Sequence, residues 1–142
     1  MGQSYRVVLE ATPDPADVQA VRDGLSAYNR ARVGDDVYRR LTIFLRDPDM
    51  TIVGGLLGGT YWGWLYVEIL WLAEHVRGAG HGRAVLATAE QEAVRRGCHH
   101  AHLDTMSFQA RSFYERQGYT TFGELRDIPV GHQRYFMQKA LA

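Results

Sequence analysis

Arg77-Gly78-Ala79-Gly80-His81-Gly82 lies between an apolar run, Tyr66 to Ala73, and an amphipathic segment, Arg83 to Arg96. Three glycines in five positions, at the end of an expected strand and the start of an expected helix, leave backbone N–H groups bare. A phosphate can then approach the main chain, and the helix start behind the turn adds donors and a positive dipole end. The loop reads as a cradle for the pyrophosphate of a coenzyme. A dinucleotide fingerprint fits less well, because the spacing is Gly-x-Gly-x-Gly and no early βαβ unit precedes it. The Gly-Lys-Ser/Thr ending of a P-loop is absent too.

Composition narrows the rest. The chain has 142 residues, room for one domain spanning 1–142 with a sizeable core. Its 16 Lys+Arg balance 16 Asp+Glu, which argues against nucleic acid or an anionic membrane as partner. No apolar run approaches the roughly 20 residues needed to span a bilayer, and MGQSYRVVLE lacks a signal-peptide core. The lone Cys98 excludes an intrachain disulfide framework and fits a reducing cytoplasm, most simply as a small buried filler.

Along the chain, Tyr5 to Glu10 reads as a first strand. Asp14 and Pro15 open a helix whose apolar face is Val18, Val21, Leu25 and Tyr28, ending near Asn29. Asp35 to Arg40 reads as a short helical turn. Leu41 to Arg46 is a strand, Asp47-Pro48-Asp49 a turn, and Met50 to Leu57 the hairpin partner. Glycines 54, 55, 58 and 59 predict a bend or bulge there. Trp64 to Ala73 is apolar nearly throughout, so both of its faces are expected to be covered. After the glycine loop, Val85, Leu86, Ala89 and Ala93 line a helix ending at Gly97. Cys98 to Thr105 is a strand, and Ser107 caps a short helix carrying Phe113 and Tyr114, with Gly118 past its end. Thr120 to Leu125 and Gln133 to Lys139 close the chain as strands. Hairpins first and βαβ connections later give a mixed, mainly antiparallel sheet of six or seven strands flanked by helices, an α/β (α+β) architecture.

Arg77-x-x-Gly80-x-Gly82 after an apolar strand resembles the coenzyme A loop of the GCN5-related N-acetyltransferase superfamily. Ser107-x-x-Ala110-x-x-Phe113-Tyr114-Glu115-x-x-Gly118-Tyr119 is similar to its second signature, and the spacing between the two blocks fits as well. The family often has Asn where this chain has Ser107. The resemblance implies that the central strand pair splays. It also implies that acetyl-CoA is the cosubstrate, an amine the acceptor, and a homodimer a natural assembly. Backbone groups of Gly78, Ala79, Gly80, His81, Gly82 and Arg83 would take the pyrophosphate, with charge from Arg77 or Arg83. The backbone of Leu70, Trp71 and Leu72 would pair with the pantetheine arm, and Ser107 would offer a further hydrogen bond.

Acetyl transfer needs a neutral amine, a stabilised oxyanion and a proton for the leaving thiolate. The resemblance makes Tyr114 the general acid, a phenol of basicity comparable to a thiolate; the competing reading is a core aromatic. Two residues compete as base. Glu68 is the only charge in WLYVEILWLA, and a carboxylate in an apolar strand is costly unless solvated or paired. His102 titrates near neutrality. Cys98, His100, His102 and Asp104 alternate along one strand, which offers zinc ligation as a rival reading, but ligands so spread cannot close a tetrahedron unaided. No metal is expected. A non-catalytic acyl-CoA-binding module is the remaining alternative.

Overall fold

A computed structural model of the chain describes residues 3–141. The chain divides into two compact units, one ending at Asp36 and the other beginning at Val37.

The first unit is an extended segment followed by helix α1, Pro15–Val33. Asp14 caps the helix, its carboxylate accepting from the Ala16 N–H at 2.9 Å, with Pro15 behind it. The helix outruns the expected end near Asn29 because Arg30, Ala31 and Arg32 all favour helix. It stops at Gly34, whose φ of 82° lets its N–H return to the Arg30 carbonyl. No residue of α1 is buried. The strand expected at Tyr5 to Glu10 is not formed, and those residues pair with no ladder among the described residues. Strand propensity measures fit to a neighbour, and by itself it makes no sheet.

The second unit carries strands β1 (Arg39–Arg46), β2 (Ile52–Tyr61), β3 (Trp64–Leu72), β4 (His100–Met106), β5 (Thr120–Arg126) and β6 (Gln133–Ala140), with helices α2 (His81–Arg95) and α3 (Arg111–Arg116). No helical turn forms over 35–40, since β1 has already begun at Arg39. The six-stranded sheet runs β1-β2-β3-β4-β6-β5, antiparallel except between β3 and β4. At the β1–β2 turn the Asp47 carboxylate accepts from the N–H groups of Asp49 and Thr51, each at 2.9 Å. One face of the sheet buries Leu41, Leu56, Leu65, Val67 and Leu103 against Val85, Leu86 and Ala89 of α2. The helical spacing of those α2 residues is what aims them at the sheet.

The β3 strand is not covered on both faces. Leu65 and Val67 are buried, yet Glu68, Ile69 and Trp71 are exposed. The cause is local. Gly58 faces Val67 and Leu57 faces Ile69, so Glu68 has no partner on β2 and the strand bulges. The irregularity expected from the β2 glycines is present, with the extra residue on β3. Gly58 makes it sterically feasible, because a Cβ there would collide with the Tyr66 carbonyl oxygen. At the same level β3 leaves β4: the parallel ladder runs from Trp64–His100 to Val67–Leu103 and ends. The central pair is splayed.

Gly58→Ala should therefore lower stability by about 1–3 kcal/mol, the usual cost of overpacking, measured as a drop in urea midpoint at unchanged slope. Wild-type stability in that variant would show that the bulge does not depend on the missing side chain.

Candidate active site

Beyond β3 a single turn of 3-10 helix, Glu74–Val76, leads into the glycine loop. Gly78 and Gly80 hold φ values of 80° and 84°, a region that costs glycine nothing. α2 begins at His81 without a side-chain cap, and Ala84 N–H is the first to bond back, to the Gly80 carbonyl at 3.1 Å. No hydrogen bond within the described residues engages the N–H groups from Gly78 to Arg83. Six bare donors at a helix start fit a diphosphate. Arg77 is partly committed elsewhere, since its Nε donates to the Leu72 carbonyl at 3.0 Å and ties the loop to β3.

The loop opens on a cleft of about 1030 Å³ between the parted strands. Glu68, Leu70, Trp71 and Leu72 line it from β3, and Tyr114 from α3. Arg77, Gly78, Gly80, His81, Gly82 and Arg83 line it from the loop and α2. Ala79, Ser107 and His102 are not in the lining.

Tyr114 answers to both of its readings. Its ring is 6% exposed, packed edge-on to Phe113 and Tyr119 in the core. Its hydroxyl has no hydrogen-bond partner among the described residues, although the residue lines the cleft. Burial, with a further contribution from the Asp104 charge, pushes its pKa up to about 12. The phenol is thus protonated, as an acid must be.

Ser107 does not cap the short helix. Its hydroxyl accepts from Gln133 N–H at 3.0 Å and meets His132 Nδ1 at 3.3 Å, so it clips the end of β4 to β6. The helix starts only at Arg111, and its approach is held by Thr105, whose hydroxyl accepts from Ala110 N–H at 3.4 Å. Gln109 turns back to accept from Met106 N–H at 2.7 Å. Thr105 and Gln109 line the cleft, a role no motif announces.

The two base candidates stand apart. Glu68 is exposed on the bulge and lines the cleft, with no hydrogen bond or ion pair among the described residues. His102 lies outside the lining, in an aromatic nest. Its ring stacks on Tyr66 at 4.8 Å, meets Trp64 and Tyr61 edge-on, and its Nε2 is 3.1 Å from Tyr61 Oη. Burial lowers its pKa, partly offset by the Asp104 charge. Asp104 is the residue that sequence reasoning undervalued, treating it only as one of an alternating set. It lines the cleft, and Arg134 Nε donates to its Oδ2 at 2.8 Å. Among the described residues no group of three or more His, Cys, Asp or Glu is arranged to hold a metal.

The model of the acetyltransferase (GNAT) family matches residues 9–119, most of the chain. The chain belongs to this family. Acetyltransferase Atu2258 of Agrobacterium fabrum is 42% identical over 132 residues, 93% of this chain and 96% of its own length. The blasticidin-S acetyltransferase of Streptomyces morookaense is 38% identical over 91 residues, covering 63% of this chain and 67% of that one. A crystal structure from Agrobacterium tumefaciens superposes with a TM-score of 0.89 at 41% identity, over 96% of this chain and 99% of the other. This GNAT chain is thus an N-acetyltransferase that uses acetyl-CoA as its donor. Among the described residues no helix is long and apolar enough to cross a membrane.

His102 gives a signed pH test. Its folded pKa is depressed below the ordinary value of 6.5, so the neutral ring contributes stability above about pH 6.5. That contribution is lost as pH falls through the folded value. In thermal melts taken from pH 7 downward, His102→Gln should start lower and fall less steeply than wild type. Parallel curves would show that folding does not discharge the ring.

Proposed function

We propose that this chain moves the acetyl group of acetyl-CoA to a primary amine by direct attack in a ternary complex. The observation that carries the reading is the charge layout of the cleft. Its basic lining residues, Arg77, His81, Arg83 and Arg116, belong to the loop, α2 and α3, whereas its carboxylates, Glu68 and Asp104, sit on the parting strands. One end suits a diphosphate, the other an ammonium group.

The donor supplies an acetyl group already activated as a thioester. The bare N–H groups from Gly78 to Arg83 hold its diphosphate, and the stretch of β3 beyond its ladder to β4, at Leu70, Trp71 and Leu72, pairs with the pantetheine arm, the Leu72 carbonyl also accepting from Arg77 Nε. Ser107 is left out of the binding set, since its hydroxyl is engaged with β6. Glu68, unpaired and exposed, takes the ammonium proton so that the nitrogen lone pair can attack. A backbone N–H near Leu72 faces the developing oxyanion. Tyr114 gives its proton to the departing thiolate: its raised pKa keeps the phenol protonated until that step, and its hydroxyl has no other partner among the described residues. His102 is the second candidate for base, but its Nε2 is already met by Tyr61 Oη and the residue lies off the cleft. The lone, buried Cys98 takes no covalent part and supports a reducing, cytoplasmic setting. The name of the Streptomyces relative supports a small molecule as acceptor. A homodimer belongs to the same reading.

Acetyl-CoA should raise the melting temperature, and Gly80→Glu should abolish the shift through bulk and like charge. No shift in the wild type would remove the donor assignment. Tyr114→Phe should reduce kcat by roughly 10²–10⁴, the usual worth of a general acid, with acetyl-CoA affinity nearly intact. Glu68→Gln should erase the acidic limb of the pH–rate profile; if His102→Gln erases it instead, the base is reassigned.

A further inference from the structure

The ladder between β3 and β4 ends at Val67 and Leu103. The next residue on each strand is a carboxylate: Glu68 on β3 and Asp104 on β4. Both line the cleft. They differ in how they are held. Glu68 is on a bulge, exposed and without a partner among the described residues. Asp104 is fixed, its side chain 20% exposed and its Oδ2 bound by Arg134 Nε at 2.8 Å. No hydrogen bond among the described residues takes the Asp104 Oδ1. Arg134 itself is steadied by its guanidinium lying 5.2 Å from the centre of the Phe136 ring.

One primary amine does not use two carboxylates in the same way. A base needs an oxygen open to the ammonium it faces, and Glu68 offers one. A recognition group must stay put, which an arginine-clamped one does. We propose that Asp104 is the acceptor-selecting residue, receiving through its free oxygen a second positive charge on the acceptor, and that the substrate class is a small amine bearing another cationic group. This rests on the acetyl-transfer reading above and names the acceptor for it. Among the described residues the only basic side chain bonded to Asp104 is Arg134.

A charge series of four-carbon amines tests it: 1,4-diaminobutane, butylamine and 4-aminobutanoate, each assayed for thiol release from acetyl-CoA. Wild type should rank them in that order by kcat/KM, with a spread of at least tenfold between the first two carried mainly by KM. Asp104→Asn should compress that spread to within about threefold by raising KM for the diamine, leaving acetyl-CoA affinity, measured by calorimetry, within twofold. Arg134→Gln, which keeps the carboxylate and removes its clamp, should raise KM for the diamine in the same direction and by less. If Asp104→Asn does not fold, Arg134→Gln carries the test alone. An unaltered diamine preference in whichever of these variants folds overturns the assignment of Asp104. Equal use of diamine and monoamine by wild type overturns the dicationic class while amine acetylation stands. If none of the three is acetylated although acetyl-CoA still stabilises the protein, the acceptor class is wrong and the donor assignment survives.

Discussion

Everything in the second unit that bears on chemistry depends on one close approach, that of the Gly58 backbone to the Tyr66 carbonyl. With no side chain at 58, β2 can lie against β3 while β3 carries one residue too many. The surplus residue bends β3 just where its ladder to β4 runs out. A sheet that stayed flat and fully paired here would have no cleft, because each backbone donor and acceptor would be spent on a neighbouring strand. The bulge makes a wedge-shaped opening and leaves one edge of β3 unspent.

The rest of the unit keeps that opening from closing. On the covered face α2 packs Val85, Leu86 and Ala89 onto Leu65, Val67 and Leu103, the residues just short of the split. Past the middle of α2 Glu90 accepts from Tyr119 Oη at 2.7 Å and from Lys139 Nζ at 2.9 Å, joining the helix to the residue before β5 and to β6. Burial and the adjacent Glu90 charge drive the Tyr119 pKa far upward, so this phenol is a permanent donor. On the other side of the helix Arg96 reaches the Arg39 carbonyl and Thr60 Oγ1, each at 3.2 Å, while Glu92 holds its Nε. α2 is fastened through its C-terminal half by these bonds, and nearer its start by the packing of Val85 and Leu86 onto the sheet.

Local chemistry was legible in the sequence. The glycine loop, the Asp14–Pro15 helix start, the 47–49 turn, the α2 face and Tyr114 were each announced by neighbours within a few residues. What failed needed a partner far along the chain. Tyr5 to Glu10 has strand propensity and no strand beside it among the described residues. Trp64 to Ala73 looks buried on both faces because its residues are apolar, yet a bulge set by Gly58 turns part of it outward. Ser107 has the chemistry of a cap, but Gln133, 26 residues on, claims its hydroxyl. Asp104 is ordinary in sequence and acquires its interest only when Arg134, 30 residues away, folds back onto it.

The cleft is made of two materials. The glycine-loop end is main chain: N–H groups and a strand edge, indifferent to most side-chain replacements so long as the glycine conformations survive. The end at the split is side chain: Glu68 and Asp104. A site divided this way can drift at one end without disturbing the other. On the proposed reading, single substitutions around the split retune what is accepted while leaving untouched the groups that hold the donor, so selectivity is cheap to change and the reaction is not.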